Sequence, residues 1–351
     1  MDPRIQRQRR LGRAGLVIAA LGLAAGVALL IAGLTGQLAE PELPGLAVYT
    51  GPTVWLLPVT RVVADAAAVA TVGCLLAAAF LAPGLRTPLT STTPGRRLLL
   101  APAGFRWVRA AFWAVLLWVV ASCVGLVLSA SDLLGIPPTA ALRPTILFDT
   151  ARSVTQGQTL LWTIAITCAV AVACRVIRTV NGAALALVGA LVAVTPAAFA
   201  GHAAGAGSHQ LAVSAQILHV VPVTLWLGGL LALVLGSRRL GADRPAMLRR
   251  YSALAAACLV LVAVSGVPSL AVRLRDWSDL LDTAYGRVAL VKIVVLLIAG
   301  ALGWLHRARC LPALEAGRSR TFARLAAVEI GVLAVGIGAA VGLAATPAPR
   351  V

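Results

Sequence analysis

Charged residues are scarce in this chain, because Asp, Glu, Lys and Arg make up only 12% of its 351 residues, against about 25% in soluble domains. Hydrophobic residues make up 60%. Apolar runs of about 20 residues recur along the whole length, and each is long enough to cross a hydrocarbon core about 30 Å thick. These runs exclude a soluble domain and are too long for the strands of a membrane barrel. We predict an all-α, polytopic membrane helix bundle.

The motifs of common enzymes and metal knuckles are also absent. None of the six cysteines forms a C-x-x-C pair, and most of them fall inside apolar runs, as small buried residues do. The sequence contains no nucleophile elbow, P-loop or H-E-x-x-H pattern. We therefore expect neither a zinc knuckle nor a conventional hydrolytic enzyme.

Acidic residues are fewer than basic residues, which gives a formal net charge of +18. The basic residues punctuate the apolar runs in short connections, a distribution typical of membrane orientation signals rather than of a nucleic-acid surface. Most of them fall on one side when the N-terminus is placed in the cytoplasm. We predict a cytoplasmic N-terminus, an extracytoplasmic C-terminus and no nucleic-acid partner.

Nine transmembrane spans account for the apolar runs, and the connections between them carry the Gly, Pro and charged residues that interrupt helices. The predicted spans are 12–34, 58–82, 108–130, 157–177, 182–201, 210–236, 251–272, 286–306 and 322–345.

One short stretch, GHAAGAGSHQLAVSAQILHVVPVTLWLGG, holds three of the four histidines: His202, His209 and His219. Neutral imidazole is a ligand for copper and zinc. The small residues of AAGAGS allow two helix ends to approach, so we expect His202 and His209 to share one metal ion. His219 lies about 15 Å deeper along a regular helix. The spacing predicts an outer metal site followed by a deeper site at His219.

Two neighbours are expected to support His219. Gln216 lies one turn away, where its amide oxygen can orient an imidazole or bridge to it through water. Pro222 has no N–H, which leaves the carbonyl of Leu218 free. We expect that carbonyl to accept the other ring N–H of His219 and so set its tautomer. The fourth histidine, His306, is predicted to anchor a helix at the membrane interface.

Lys292 and Glu329 lie well inside the last two predicted spans. Lys292 is the only lysine of the chain, and Glu329 belongs to the following span. Counting the rise along antiparallel helices places them at similar depths, so we predict a buried Lys292–Glu329 pair. Such a pair is consistent with an ion pathway and equally with a contact that sets helix register. Arg61 and Asp65, one turn apart, are predicted to form a local pair.

Trp226 lies too deep for an interfacial aromatic belt. We expect it to pack inside the bundle, with Gly228 and Gly229 allowing another helix to approach closely.

Four segments then follow one another in a specific order: ILHVVPVTLWLGGLLAL, RRYSALAAACLVLVAVSGV, YGRVALVKIVVLLIAGALGWLHRARCLP and FARLAAVEIGVLAVGIGAAVGLAATPAP. This succession resembles the copper resistance D (CopD) family over about residues 200–349. The resemblance divides the chain into N-terminal membrane helices, 1–200, with about five spans, and a CopD-like four-helix membrane domain, 201–351.

The resemblance implies a multi-pass protein of the bacterial plasma (inner) membrane that handles copper and is not an enzyme. Among the residues on family motif positions are His219, Trp226, Lys292 and Glu329, and His202 matches the Gly-His-Ala segment upstream.

The chain departs from a methionine-lined copper path. Apart from Met1 it has only Met247, which is predicted to lie in a cytoplasmic loop. Imidazole therefore becomes the main expected ligand.

The leading hypothesis is transport or delivery of copper, as Cu(I) or Cu(II). His202 and His209 would capture the ion on the extracytoplasmic side and pass it to His219, while Lys292 and Glu329 provide a polar step. An extracytoplasmic copper chaperone or a CtaG-type assembly protein is the expected partner, since some bacteria fuse a CopD-like half to a CtaG-type half. Two alternatives stay open: a scaffold for assembly of the copper centre of cytochrome oxidase, and a haem-binding membrane protein with paired imidazoles.

Overall fold

The computed structural model describes residues 3–35, 51–81, 99–200, 209–236, 244–271, 273–310, 320–346 and 349. At 3–14, 209, 244–246, 307, 310, 320–324 and 326 it describes the backbone alone.

The described residues are almost entirely helical. Their helices are α1 Pro3–Leu34, α2 Thr53–Leu76, α3 Pro102–Leu134, α4 Pro138–Ala141, α5 Pro144–Ser153, α6 Thr155–Val176, α7 Val180–Ala193, α8 His209–Gly236, α9 Arg244–Ala271, α10 Asp279–Asp282, α11 Ala284–Leu305 and α12 Arg320–Ala345. Three helices continue into tighter or wider turns: α2 into a π turn at Ala77–Leu81, α7 into a 3-10 turn at Pro196–Phe199, and α11 into a π turn at His306–Cys310.

Nine of these helices are long and apolar enough to cross a membrane, which confirms the predicted helical membrane bundle for the described part of the chain. The predicted ends were less accurate than the spans themselves. The third span begins at Pro102, six residues before the expected start at 108, because proline is well placed in a first helical turn. It ends at Gly135, whose φ of 60° is the left-handed conformation that glycine adopts at helix ends.

Helix α2 lies at the centre of the bundle. It packs against α1, α3, α7, α8 and α12. In the most apolar stretch of α2, 67% of the residues are buried, whereas 17% are buried in the corresponding stretches of α9 and α11. In its contact with α8, Gly73 and Gly228 meet backbone to backbone. Small residues permit this approach because neither carries a side chain into the interface.

Four contacts set the register of the C-terminal helices. Helices α8 and α9 are antiparallel, since the His219–Ser265 and Tyr251–Trp226 contacts run in opposite directions along the two chains. Helices α11 and α12 are antiparallel too, since the His306–Glu329 and Val295–Gly336 contacts run in opposite directions along the two helices. We call the two ends of this part of the bundle the His209 end, where α8 and α11 begin, and the His306 end, where they finish.

The first and last spans close the bundle. Gly338 lies against the carbonyl of Ala24, and Gly342 lies against the side chain of Ile31. From the first contact to the second the residue number rises on both helices, so α1 and α12 run parallel. Helix α1 thereby joins the N-terminal helices to the C-terminal four.

Candidate metal site

His219 lies on α8, ten residues after the helix begins, and its side chain is half-buried. Its Nδ1 atom lies 3.1 Å from Oγ of Ser265 on α9. That hydroxyl is buried and donates its proton to the carbonyl of Val262 at 3.1 Å. A hydroxyl has one proton to donate, so its oxygen accepts from Nδ1–H of the histidine. The arrangement selects the tautomer in which Nε2 keeps its lone pair, as a metal ligand requires.

The supporting partner of His219 is therefore Ser265 on a neighbouring helix, rather than the expected carbonyl of Leu218 on its own helix. A backbone carbonyl in a helix points along the axis, whereas side chains leave the helix sideways. The imidazole consequently meets α9. The sequence did contain a signal for this contact: Ser265 places a hydroxyl inside the apolar run of α9, and such a group needs a polar partner in the membrane.

The charges that act on the His219 ring are positive. They come from Lys292 on α11, which is half-buried, and from Arg273 just beyond α9. Two like charges disfavour a further cation at Nε2. This environment suits an imidazole that holds a metal ion briefly, rather than one that stores it.

The outer half of the predicted histidine ladder falls largely outside the described residues. His202 lies outside them, and His209 contributes only its backbone as the first residue of α8. Among the described side chains no group of three or more His, Cys, Asp or Glu could hold a metal ion. The shared His202–His209 site remains a prediction.

The packing predicted around Trp226 is confirmed. Trp226 is 4% exposed, and its backbone carbonyl accepts a 2.9 Å hydrogen bond from the hydroxyl of Tyr251. Gly228 lies against α2, and Gly229 lies under the ring of Tyr251. Gln216 is half-buried, one turn before His219 as expected, and its role stays a prediction.

The predicted pairing of Lys292 with Glu329 is wrong. Gly336 of α12 packs against Val295 of α11, which places Lys292 near the level of Ala339. Glu329 therefore lies about ten residues away, roughly 15 Å along the helix. The sequence gives the rise of each helix, but the register of two neighbours depends on where their small residues meet.

Glu329 pairs with His306 instead. Nδ1 of His306 lies 2.8 Å from Oε2 of Glu329, and the two residues are 8% and 2% exposed. The expected role of His306 as an interfacial anchor is also wrong, because the π turn that follows α11 directs this side chain inward against α12.

Met247 does not lie in a loop as expected. It belongs to α9, is 3% exposed, and packs in one apolar cluster with Trp226, Tyr251 and Cys258. The helix begins at Arg244, several residues before the predicted start at 251, so the methionine falls in its first turns.

The charged residues of α2 form a wider group than the local pair that was predicted. The charge of Arg61 acts on Asp65 and also on Asp132 at the end of α3. This group belongs to the N-terminal helices, and none of the charges that act most strongly on His219 comes from it.

Comparison with known proteins agrees with the resemblance of the C-terminal helices and extends it. Residues 245–343 match the family model described as copper resistance protein D. Residues 52–211 match the copper resistance protein D-like N-terminal domain, a relationship that the sequence analysis did not find.

A curated relative, the copper transport protein CutJ of Bacillus subtilis (strain 168), is 30% identical over 141 residues. The match covers 39% of this chain and 26% of the relative, so the chain spans about a quarter of that protein's length. No solved structure matches the chain. Because both family models match in order along a chain whose described residues form nine helices able to span a membrane, the chain belongs to the copper resistance protein D family.

Proposed function

We propose that this multi-pass protein carries copper across the bacterial plasma membrane, or delivers it there, by way of His219. The observation that carries the proposal is the hydrogen bond from His219 to Ser265, which engages Nδ1 and leaves the lone pair of Nε2 for a metal ion. The family and the copper transport relative support copper as the substrate.

The chemistry of the site fits copper in either oxidation state. Neutral imidazole binds Cu(I) and Cu(II) well. The positive charges of Lys292 and Arg273 near the ring favour release of the ion once it has bound. A site on a transport path needs this balance, because an ion that is held too tightly does not leave.

The direction of the path follows from the proposed orientation. With the N-terminus in the cytoplasm, the His209 end of the bundle faces the extracytoplasmic side. His202 and His209 would receive copper there from an extracytoplasmic chaperone. In the reverse direction they would pass copper to a CtaG-type assembly protein. The ion would then reach His219 about 15 Å deeper.

Haem binding by paired imidazoles is the less favoured alternative. It requires two histidines at one level of the bundle. Of the two histidine side chains that the structure describes, His219 lies toward the His209 end and His306 lies at the opposite end. The remaining alternative, an assembly scaffold, is separated from a transporter by measuring flux.

Copper uptake into vesicles tests the proposal. The full chain is reconstituted in proteoliposomes, and Cu(I) binding and uptake are measured for the wild type, for His219→Ala and for Leu218→Ala. Leu218 is the matched control because it is the adjacent residue of α8 and is exposed. We expect uptake and one equivalent of binding to be lost in His219→Ala alone.

Two other results would reject parts of the proposal. Unchanged binding and uptake in His219→Ala would remove the histidine from the path. Binding that depends on His219 without any uptake by the wild type would identify a scaffold rather than a transporter.

A further inference from the structure

The His306–Glu329 pair is a buried ionisable contact that the copper path described above does not use. Glu329 is 2% exposed, although it lies in the apolar helix α12. Its Oε2 lies 2.8 Å from Nδ1 of His306. Removing ionisable groups from water costs several kcal/mol for each ion in real proteins. Residues of this kind inside membrane spans commonly mark ion or proton pathways.

The pair lies where three helices of the C-terminal part meet. His306 begins the π turn that follows α11, and such turns are frequent at functional sites. Glu329 is on α12. On α9, Tyr251 lies within reach of the charge of Glu329, and its neutral hydroxyl donates to the carbonyl of Trp226 on α8. Through Tyr251 the pair adjoins the helix that carries His219.

The other charged side chains that the structure describes at this end of the bundle are exposed: Arg249 and Arg250 come directly before Tyr251 on α9. On α2, which also packs against α12, Arg61 and Asp65 lie two or more turns before Gly73, toward the opposite end.

The described side chains of α1, which packs against α12, are those of 15–34 and include no ionisable group. On α8 the titratable side chain that the structure describes is His219 itself, seven residues before Trp226. Cys258 on α9 interacts with Tyr251, and Arg309 in the π turn is exposed.

The chemistry of the pair suits a proton better than a copper ion. An imidazole and a carboxylate in contact share one proton and are neutral together, as a charged pair or as two neutral groups. Carboxylate is a hard ligand that Cu(I) disfavours. No third His, Cys, Asp or Glu among the described residues completes a metal site there.

Loss of that proton would leave one net negative charge on the pair in a buried place. A cation that comes near stabilises such a charge. A copper ion that moves from His219 toward the His306 end approaches the pair beside Tyr251 and can replace the charge of the proton. The copper ion then moves on and a proton returns to the pair from water.

We propose that His306 and Glu329 form a proton-binding site, and that each Cu(I) ion that passes is exchanged there for a proton. This inference rests on the proposed function. The charges balance: one monovalent cation replaces another beside Glu329, the proton leaves to the water on the side from which copper came, the returning proton comes from the side that copper enters, and no electron is transferred.

Simultaneous measurement of copper and proton movement tests the exchange. Proteoliposomes containing the full chain are loaded with a pH-sensitive dye and given Cu(I), and the experiment is repeated with an imposed pH gradient. For the wild type we expect proton movement opposite to copper movement, and copper accumulation driven by the gradient. In Glu329→Gln and in His306→Gln, copper binding at His219 should be retained, while the copper-dependent proton movement falls to the level of protein-free vesicles.

Asp282→Asn is the matched control, because it neutralises an exposed carboxylate at the His209 end of the bundle. It should behave as the wild type does. Copper movement by the wild type without any proton movement would overturn the inference, and so would normal exchange in Glu329→Gln. Neither result would touch the proposed function, which fails separately if copper binding and uptake are independent of His219.

Discussion

Nδ1 of His219 and Oγ of Ser265 lie 3.1 Å apart and join helices α8 and α9 inside the membrane bundle. Because the serine donates its own proton to Val262, this contact determines which nitrogen of the histidine remains free. The proposed role of His219 as a metal ligand therefore depends on a residue of the next helix.

Replacing Ser265 with alanine should weaken copper binding without removing a ligand. The histidine would lose the acceptor that holds its Nδ1–H and would sample both tautomers and other ring orientations. Loss of such a supporting partner typically costs about 10- to 100-fold in metal affinity. Competition with a Cu(I) chelator measures the affinity of the purified protein.

Ser269→Ala provides the comparison, because it removes a hydroxyl one turn further along α9. It should leave the affinity near that of the wild type. Equal losses in the two variants would show that Ser265 has no specific role at His219.

Lys292→Gln should strengthen copper binding at His219. The lysine contributes a positive charge that acts on the imidazole. At an effective dielectric constant of about 20, removing a nearby like charge is worth on the order of 1–2 kcal/mol, or roughly 5- to 30-fold in affinity. Release should slow in proportion, so we expect tighter binding together with slower uptake in proteoliposomes.

The contrasting variant Lys292→Arg keeps the charge and should retain the affinity of the wild type. Weaker binding in Lys292→Gln would instead indicate that the lysine supports the site by a direct contact.

Gly228→Ala should destabilise the contact between α2 and α8. A methyl group there would lie 2.7 Å from the backbone nitrogen of Gly73 and equally close to the carbonyl oxygen of Val69. Backbone atoms on both sides cannot rotate away, so the helices must separate. Overpacking of this kind costs about 1–3 kcal/mol, which a thermal unfolding scan in detergent detects as a lower Tm.

Gly22→Ala in α1 is the control for the effect of the substitution itself, since nothing lies within 4 Å of a methyl group placed there. It should leave the Tm unchanged or raise it slightly, because alanine favours helix over glycine by about 1 kcal/mol. A similar drop in both variants would contradict the role assigned to the Gly73–Gly228 contact.

The membrane spans could be predicted because a span depends on local composition. An apolar run of sufficient length must satisfy its backbone hydrogen bonds internally and so forms a helix wherever it occurs in the chain. The packing near Trp226 was predicted for a similar reason, since adjacent glycines mark a close helix contact irrespective of which helix approaches.

The pairings of ionisable side chains could not be predicted in the same way. Lys292 and Glu329 have opposite charges and could pair if they lay at one level. The packing of Gly336 on Val295 instead places them at different levels of the two helices. The turn after α11 then presents His306 to the carboxylate. A displacement of about three turns is enough to exchange one partner for another.

The amino-acid sequence by itself determined a helical membrane protein and indicated its copper resistance D family, because length, hydropathy and motif order are properties of the linear chain. The nine spans that it predicted correspond to nine helices among the described residues. Only the tertiary structure decided that Ser265 supports His219 and that His306 holds Glu329. Those contacts join residues far apart in the chain, and they depend on how whole helices rotate and slide against each other until their small residues meet.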